Sequence, residues 1–167
     1  MNKYLIIENN TIQNKVAAEE YPSFLLKSNQ IAFKTTDITG SGDIGSIYYS
    51  PTDSFIPVLR APAPSPPQGN YISGSTHIIQ NFNSQITSTS AANITITENN
   101  IGNIVNFIQN SDSRSIEFDF IPTPSIDSTI ETKFSINLNN ITNIVNTTLN
   151  TEITYIYTGS LEGLNQD

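Results

Sequence analysis

The sequence predicts an all-β protein: an antiparallel β-sandwich of jelly-roll or Ig-like topology, preceded by an extended N-terminal arm and a Pro-rich linker. Three observations support this. Ile, Asn, Ser and Thr make up about half of the 167 residues, and branching at Cβ makes Ile and Thr favour strands. Several runs in the C-terminal half alternate apolar and polar residues, as in a strand with one buried face. Six of the nine prolines lie between residues 51 and 67.

Residues 1–60 are predicted to be an N-terminal assembly arm with short strands and one candidate helix. Tyr4–Ile7 is a short apolar strand, Asn9 and Asn10 form a turn, and Thr11–Gln13 returns as a hairpin. Residues 15–20 are the most helix-like stretch, which the following Tyr-Pro pair would end. The apolar clusters of this region are short, so we expect it to lack an independent core and to become ordered against a partner.

Residues 61–69 are predicted to be a Pro-rich linker. Proline fixes φ and stiffens the chain as polyproline II, so this stretch would act as a semi-rigid spacer. The domain boundary is placed here because the hydrophobic pattern changes after Gly69.

Residues 70–167 are predicted to form the β-sandwich. The runs 114–120, 129–138 and 151–157 each alternate apolar with polar residues. Such alternation places one set of side chains in the core and the other in solvent. The predicted core consists of Ile116, Phe118, Phe120, Ile130, Phe134, Ile136, Ile153 and Tyr155.

A twelve-residue segment occurs twice, at 99–110 and at 139–150, with eight identical positions. A spaced self-match of this kind can mark a repeated structural unit. The apolar spacing within each copy also fits a helix face. However, the many Asn and β-branched residues disfavour a helix, so we interpret both copies as irregular or bulged strands.

Composition excludes several classes of function. The chain has no Cys, one His and a formal net charge of −8, so thiol nucleophiles, thiolate metal sites and disulfides are excluded. Residues 61–167 carry two basic and nine acidic residues, and this charge would repel nucleic acid and anionic lipid. No signal peptide or transmembrane segment is predicted. These features predict synthesis in a cytoplasm.

Two motifs in residues 37–48 are interpreted as turns. The segment 40–45 matches the G-x-G-x-x-G pattern, but a strand end and Pro51 follow it where a dinucleotide site needs a helix. Alternating oxygen-bearing residues from Asp37 to Asp43 suggest a calcium loop, but Tyr48 stands where an EF-hand has its closing Glu. Turn formation by Asp, Ser and Gly explains both motifs.

The remaining candidates for chemistry are His77, Glu117 and Asp119. A His-based triad or a zinc site needs partners that the neighbouring sequence does not show. Glu117 and Asp119 share a strand face, as a glycosidase pair could, but their alternation with core residues indicates solvated surface. We therefore expect no catalytic residue, cofactor or metal, and expect His77→Gln to leave stability nearly unchanged.

In style the chain resembles small structural proteins of bacteriophage virions with AT-rich genomes. The resemblance rests on the opening Met-Asn-Lys-Tyr-Leu-Ile-Ile-Glu-Asn-Asn, the arm, the Pro-rich spacer 61–68 and the Asn/Thr/Ile-rich β domain. It implies a non-enzymatic capsid-lattice component, namely a penton or vertex protein, a decoration protein, or the base of a head fibre or spike. It further implies a virion location, synthesis in the host cytoplasm, and other capsid proteins and copies of itself as partners. The alternative is a carbohydrate- or receptor-binding β-sandwich module on a phage or cell surface.

Under the capsid hypothesis, the partner contacts are expected at apolar and aromatic residues of the arm and its junction with the β domain. Tyr is included because its ring suits protein interfaces. The expected contact residues are Leu5, Ile6, Ile7, Phe24, Leu25, Tyr48, Tyr49, Phe55 and Tyr71.

Overall fold

The computed structural model describes residues 1–35, 39–40, 43–98, 100–123 and 131–158. The described chain is all-β and contains short 3₁₀ turns besides its strands. It divides into two compact units, Met1–Val58 and Leu59–Asp167.

The described residues of the first unit form a six-stranded sheet, which corrects the prediction of an extended arm. Its strands in sheet order are β3 (Gln30–Lys34), β1 (Asn2–Glu8), β2 (Thr11–Ala18), β5 (Ile47–Tyr49), β6 (Ser54–Ile56) and β4 (Thr39–Gly40). Leu5, Ile7, Ile12 and Phe55 form a buried cluster, with Phe33 and Tyr48 packed against it. The apolar clusters are separate along the chain, but strand pairing brings them together into a small core.

The β1–β2 hairpin confirms one prediction and corrects another. Asn9 and Asn10 form the turn with φ of 50° and 62°, the left-handed conformation that both central residues of a type I′ hairpin turn require. The candidate helix at residues 15–20 is instead part of β2 up to Ala18, where Val16 pairs with Tyr4. Pairing with β1 outweighs the helix propensity of Lys, Ala and Glu, because intrinsic propensity is only a weak preference.

The connection between β2 and β3 covers the outer edge of β3. The Ala32 N–H donates to the Tyr21 hydroxyl at 3.1 Å, and the Gln30 N–H donates to the Lys27 carbonyl at 3.0 Å. Covering unpaired donors in this way protects a sheet edge from pairing with other chains. The same connection contains the 3₁₀ turn Ser23–Leu25, in which no residue is buried.

The described residues of the second unit form two sheets. One is three-stranded, in the order β10 (Gly102–Gln109), β11 (Ser115–Pro122) and β8 (Thr76–Asn81). The other is four-stranded, in the order β7 (Tyr71–Ile72), β13 (Thr148–Tyr157), β12 (Thr132–Thr142) and β9 (Ile94–Ile96). All strand pairs of the two sheets are antiparallel except β13 with β7.

Both sheets contribute to one hydrophobic core. The rings of Phe120 on β11 and Phe134 on β12 stack with centroids 4.7 Å apart, and Ile78, Phe118 and Tyr155 are fully buried in the same cluster. Seven of the eight predicted core residues are buried, so period-two alternation identified the core faces correctly. The eighth, Ile130, lies outside the described residues.

The Pro-rich stretch 61–69 packs on the second unit, which corrects its prediction as a spacer. Ser65 forms an antiparallel bridge with Ile79 on β8. The carbonyl of Pro62 accepts from the buried Gln80 amide at 2.7 Å, and that of Pro66 accepts from the Tyr155 hydroxyl at 2.8 Å. Proline lacks an N–H donor but keeps its carbonyl acceptor, so a Pro-rich segment can lie along a sheet edge.

The two copies of the repeat share a backbone feature. Asn100 and Asn106 in the first copy and Asn140 and Asn146 in the second all have positive φ, between 53° and 67°. Asn tolerates the left-handed region better than most residues. The first copy forms β10, with an irregularity between Val105 and Ile108. The second forms the irregular end of β12 and the turn into β13. The bulged-strand interpretation therefore fits the first copy over Gly102–Gln109 and the second only in its strand portions.

Candidate functional site

A cluster of hydrogen-bonded polar side chains lies on the face of the three-stranded sheet opposite the core. Ile78 and Phe118 point into the core, so their neighbours His77, Glu117 and Asp119 point outward. The register pairs His77 on β8 directly with Asp119 on β11. The predicted strand face of Glu117 and Asp119 is therefore confirmed, and His77 joins it from the neighbouring strand.

The imidazole of His77 lies between two carboxylates. Its Nδ1 is 2.7 Å from Asp119 Oδ1, and its Nε2 is 3.3 Å from Glu117 Oε2. A neutral imidazole has one N–H donor, whereas the imidazolium has two. Only the protonated ring can donate to both carboxylates at once.

Two asparagines on the β10 side hold the other carboxylate oxygens. The Asn106 amide donates to Asp119 Oδ2 at 2.6 Å, and the Asn110 amide donates to Glu117 Oε1 at 2.6 Å. Asn106 lies at the irregularity of β10 with φ of 53°, and Asn110 directly follows the strand. The cluster therefore links all three strands of the sheet.

Hydrogen bonding shifts two pKa values in this cluster. The hydrogen bond to Asp119 raises the pKa of His77 above its ordinary value of 6.5, and Glu117 raises it further. The Asn106 amide, followed by His77, lowers the pKa of the Asp119 carboxyl below its ordinary value. Both shifts favour the ion pair. The side chains remain partly exposed, so solvent screens the interaction.

The geometry does not match a hydrolytic triad. In a triad, one ring nitrogen faces an orienting carboxylate and the other faces the nucleophile. Here the second nitrogen of His77 faces Glu117 instead. Within the described ranges, no group of three or more His, Asp or Glu side chains converges to hold a metal ion. The arrangement can exchange a proton and pair charges across strands.

The predicted contact residues differ in exposure. Four of the predicted contact residues are buried: Leu5, Ile6, Ile7 and Phe55. Of these, Leu5, Ile7 and Phe55 belong to the core of the first unit. Tyr48 and Tyr49 are partly buried, and Tyr48 donates from its hydroxyl to Asp53 at 2.8 Å. The structure leaves three of the predicted residues strongly exposed: Phe24, Leu25 and Tyr71.

The two motifs of residues 37–48 lie partly outside the described residues. Of the G-x-G-x-x-G segment, Ser41 and Gly42 are outside, while Gly40 pairs with Phe55 and Gly45 has φ of 88°. Of the calcium-loop candidates, Asp37 is outside, and Asp43 forms a surface ion pair with Lys15 at 3.1 Å.

Sequence reasoning missed Asn106 and Asn110. Both are repeat residues whose equivalents, Asn146 and Asn150, lie in the other copy. The sequence contained one signal that separates the two copies: only the first copy is followed by a strand that carries two acidic residues on one face, Glu117 and Asp119.

No protein-family model matches the chain, and no curated protein matches it. Among the described residues, no helix has the length and apolar character needed to cross a membrane.

Proposed function

We propose that this chain is a non-enzymatic structural protein of a bacteriophage virion, made in the host cytoplasm and built into the capsid lattice. Its role would be that of a penton or vertex protein, a decoration protein, or the base of a head fibre or spike. The first unit contacts neighbouring shell proteins or other copies of the chain, and the second unit supplies a stable β body. The sequence resemblance supports the virion assignment, and the exposed apolar turn of the first unit is the structural observation that carries the assembly role.

The strand order favours an Ig-like sandwich over a jelly roll for the second unit. In a constant-type Ig domain, strands A, B, E and D form one sheet and C, F and G the other. Taking β8 to β13 as B to G, the sheet β8-β11-β10 is B-E-D and the sheet β13-β12-β9 is G-F-C. Strand A is then divided between the sheets: Ser65 pairs with β8, and β7 pairs with β13. A jelly roll instead has eight strands in two Greek keys.

The proposed contact surface is the 3₁₀ turn of the first unit with Tyr21 beside it. Phe24 is 81% exposed and Leu25 is 52% exposed. Tyr21 packs edge-on against Tyr4 of β1, with ring centroids 6.2 Å apart, so the turn follows a segment that is held on the sheet. Adjacent large apolar side chains in water favour burial against a partner, because removing them from solvent stabilises the complex.

The test replaces Phe24 and Leu25 together by Ser in the phage that encodes the chain. We expect a folded protein that is no longer incorporated into particles. The matched control replaces Ile108 and Ile121 together by Ser. Both residues are exposed on the second unit, and the control should leave incorporation unchanged. Equal incorporation of both double variants would contradict this surface as the assembly contact.

The alternative, a carbohydrate- or receptor-binding module, has less support. Glycan recognition on a sheet generally uses aromatic rings that stack on the ligand, and Tyr71 is the one strongly exposed aromatic residue in the described part of the second unit. A glycan array separates the two proposals. Specific binding that Tyr71→Ala abolishes would favour the module.

A further inference from the structure

We propose that His77, Glu117 and Asp119 form a proton-controlled clamp across β8 and β11. The clamp is closed when the imidazole is protonated and weakened when it is neutral. This inference concerns the second unit alone and does not depend on the capsid proposal.

The geometry of the ring supports the clamp. Both nitrogens face carboxylate oxygens, at 2.7 Å and 3.3 Å, and loss of one proton leaves a nitrogen lone pair directed at an anion. Deprotonation thus replaces an attractive contact by a repulsive one. The two asparagine amides keep the carboxylates in place because they donate to the oxygens that the ring does not contact.

Among the described residues, the elements that pair with β8 bring few other charges to the ring. The two elements paired with β8 are β11 and the segment around Ser65. Strand β11 contributes Glu117 and Asp119, and residues 61–67 contain no titratable side chain. The amides from the β10 side are neutral. The cluster therefore changes from a net charge of −1 to −2 when the imidazole loses its proton, in a chain that is already strongly acidic.

The direction of the pH effect follows from the two shifted groups. The pKa of His77 is raised in the folded state above its ordinary value of 6.5. The contribution of the imidazole to stability is therefore complete at pH values below this ordinary pKa and is lost as the pH rises through the raised pKa. The pKa of the Asp119 carboxyl is lowered in the folded state below its ordinary value of 3.8. The contribution of this carboxylate to stability is therefore complete at pH values above the ordinary pKa and is lost as the pH falls through the lowered pKa. The clamp is strongest between these two limits, in weakly acidic solution.

The first experiment follows the imidazole by NMR. His77 is the only histidine, so its ring protons give one unambiguous titration curve. We expect a midpoint above 6.5 in the wild type and lower midpoints in Asp119→Asn and Glu117→Gln. The control variant Glu98→Gln, at an exposed residue just after β9, should leave the midpoint unchanged. A wild-type midpoint at or below 6.5, or one that neither variant lowers, would overturn the proposal.

The second experiment compares thermal unfolding between about pH 5 and about pH 9, a range that spans imidazole titration. The sequence alone predicted that His77→Gln would leave stability nearly unchanged, whereas the clamp predicts a loss of stability in weakly acidic solution. The unfolding midpoint of the wild type should therefore fall more steeply with rising pH than that of His77→Gln. The two proteins should converge at the alkaline end. Equal pH dependence in both would exclude the clamp. If His77→Gln does not fold, the same comparison with Glu117→Gln decides the question.

Discussion

The ring of Phe120 stacks on the ring of Phe134, with centroids 4.7 Å apart and planes 24° from parallel. Phe120 belongs to the three-stranded sheet and Phe134 to the four-stranded sheet, so this contact joins the two sheets of the second unit. Tyr155 contacts Phe134 in turn, with centroids 6.1 Å apart. The three rings form the centre of the core and determine the first two predictions.

Replacing Phe134 by Ala should lower the free energy of unfolding of the second unit by about 3–5 kcal/mol, because a fully buried ring is lost and a cavity remains. Chemical denaturation followed by circular dichroism measures the change. Ile108→Ala, at a residue that is 53% exposed, is the control and should change stability by less than about 0.5 kcal/mol. A small effect of Phe134→Ala would mean that the two sheets do not share this core.

The Tyr155 hydroxyl predicts a loss of stability in alkaline solution. Burial raises the pKa of this group to about 12. Its contribution to stability is therefore complete below the ordinary value of 10.0 and is lost as pH rises towards 12. Tyr155→Phe should remove this component of the alkaline transition. Because it also removes the donor to the Pro66 carbonyl, it should lower stability near neutral pH by about 1 kcal/mol. Identical alkaline unfolding curves for the wild type and Tyr155→Phe would contradict the raised pKa of the Tyr155 hydroxyl.

The positive φ of Asn106 predicts that Gly and Ala have different effects there. Gly keeps the left-handed conformation and loses only the amide donor to Asp119, whereas Ala also strains the backbone by about 1–2 kcal/mol. We therefore expect Asn106→Ala to be the less stable variant by about that amount. Asn146, the equivalent residue in the other copy, has φ of 59°, so its Ala variant should likewise be less stable than its Gly variant. Neither substitution of Asn146 should change the titration of His77. Equal stability of the Gly and Ala variants at both positions would show that the backbone is not left-handed.

The Tyr21 hydroxyl predicts a role in preventing self-association. Tyr21→Phe removes the acceptor for the Ala32 N–H at the edge of β3. Leaving this donor exposed should make the edge more available for pairing with a second chain. Analytical ultracentrifugation over a concentration series should show more self-association in Tyr21→Phe than in the control Tyr71→Phe. If both variants sediment alike, the hydroxyl does not protect the edge.

Local patterns were sufficient to predict strands β11, β12 and β13 and the centre of the core of the second unit. Alternation around Phe118 and Ile136 identified buried faces because a strand repeats every two residues, and this period is visible in any short window. The same parity placed Glu117 and Asp119 on the solvent side. These predictions needed no knowledge of which strands pair.

Features that depend on pairing between distant segments were missed. His77 and Asp119 are neighbours only because β8 pairs with β11 in one particular register. Val16 belongs to a strand because β1 is available to pair with it, although its neighbours favour a helix. Pro62 and Pro66 appeared to belong to a spacer because their carbonyl partners, Gln80 and Tyr155, lie far along the chain.

The proposed virion role is tested most directly by quantitative mass spectrometry of purified particles of the phage that, under this proposal, encodes the chain. If the chain belongs to the capsid lattice, the protein should be present at a fixed ratio to the major shell protein and should remain after washing in high salt, since apolar contacts resist screening by salt. Absence from intact particles, or a ratio that varies between preparations, would contradict a place in the capsid lattice.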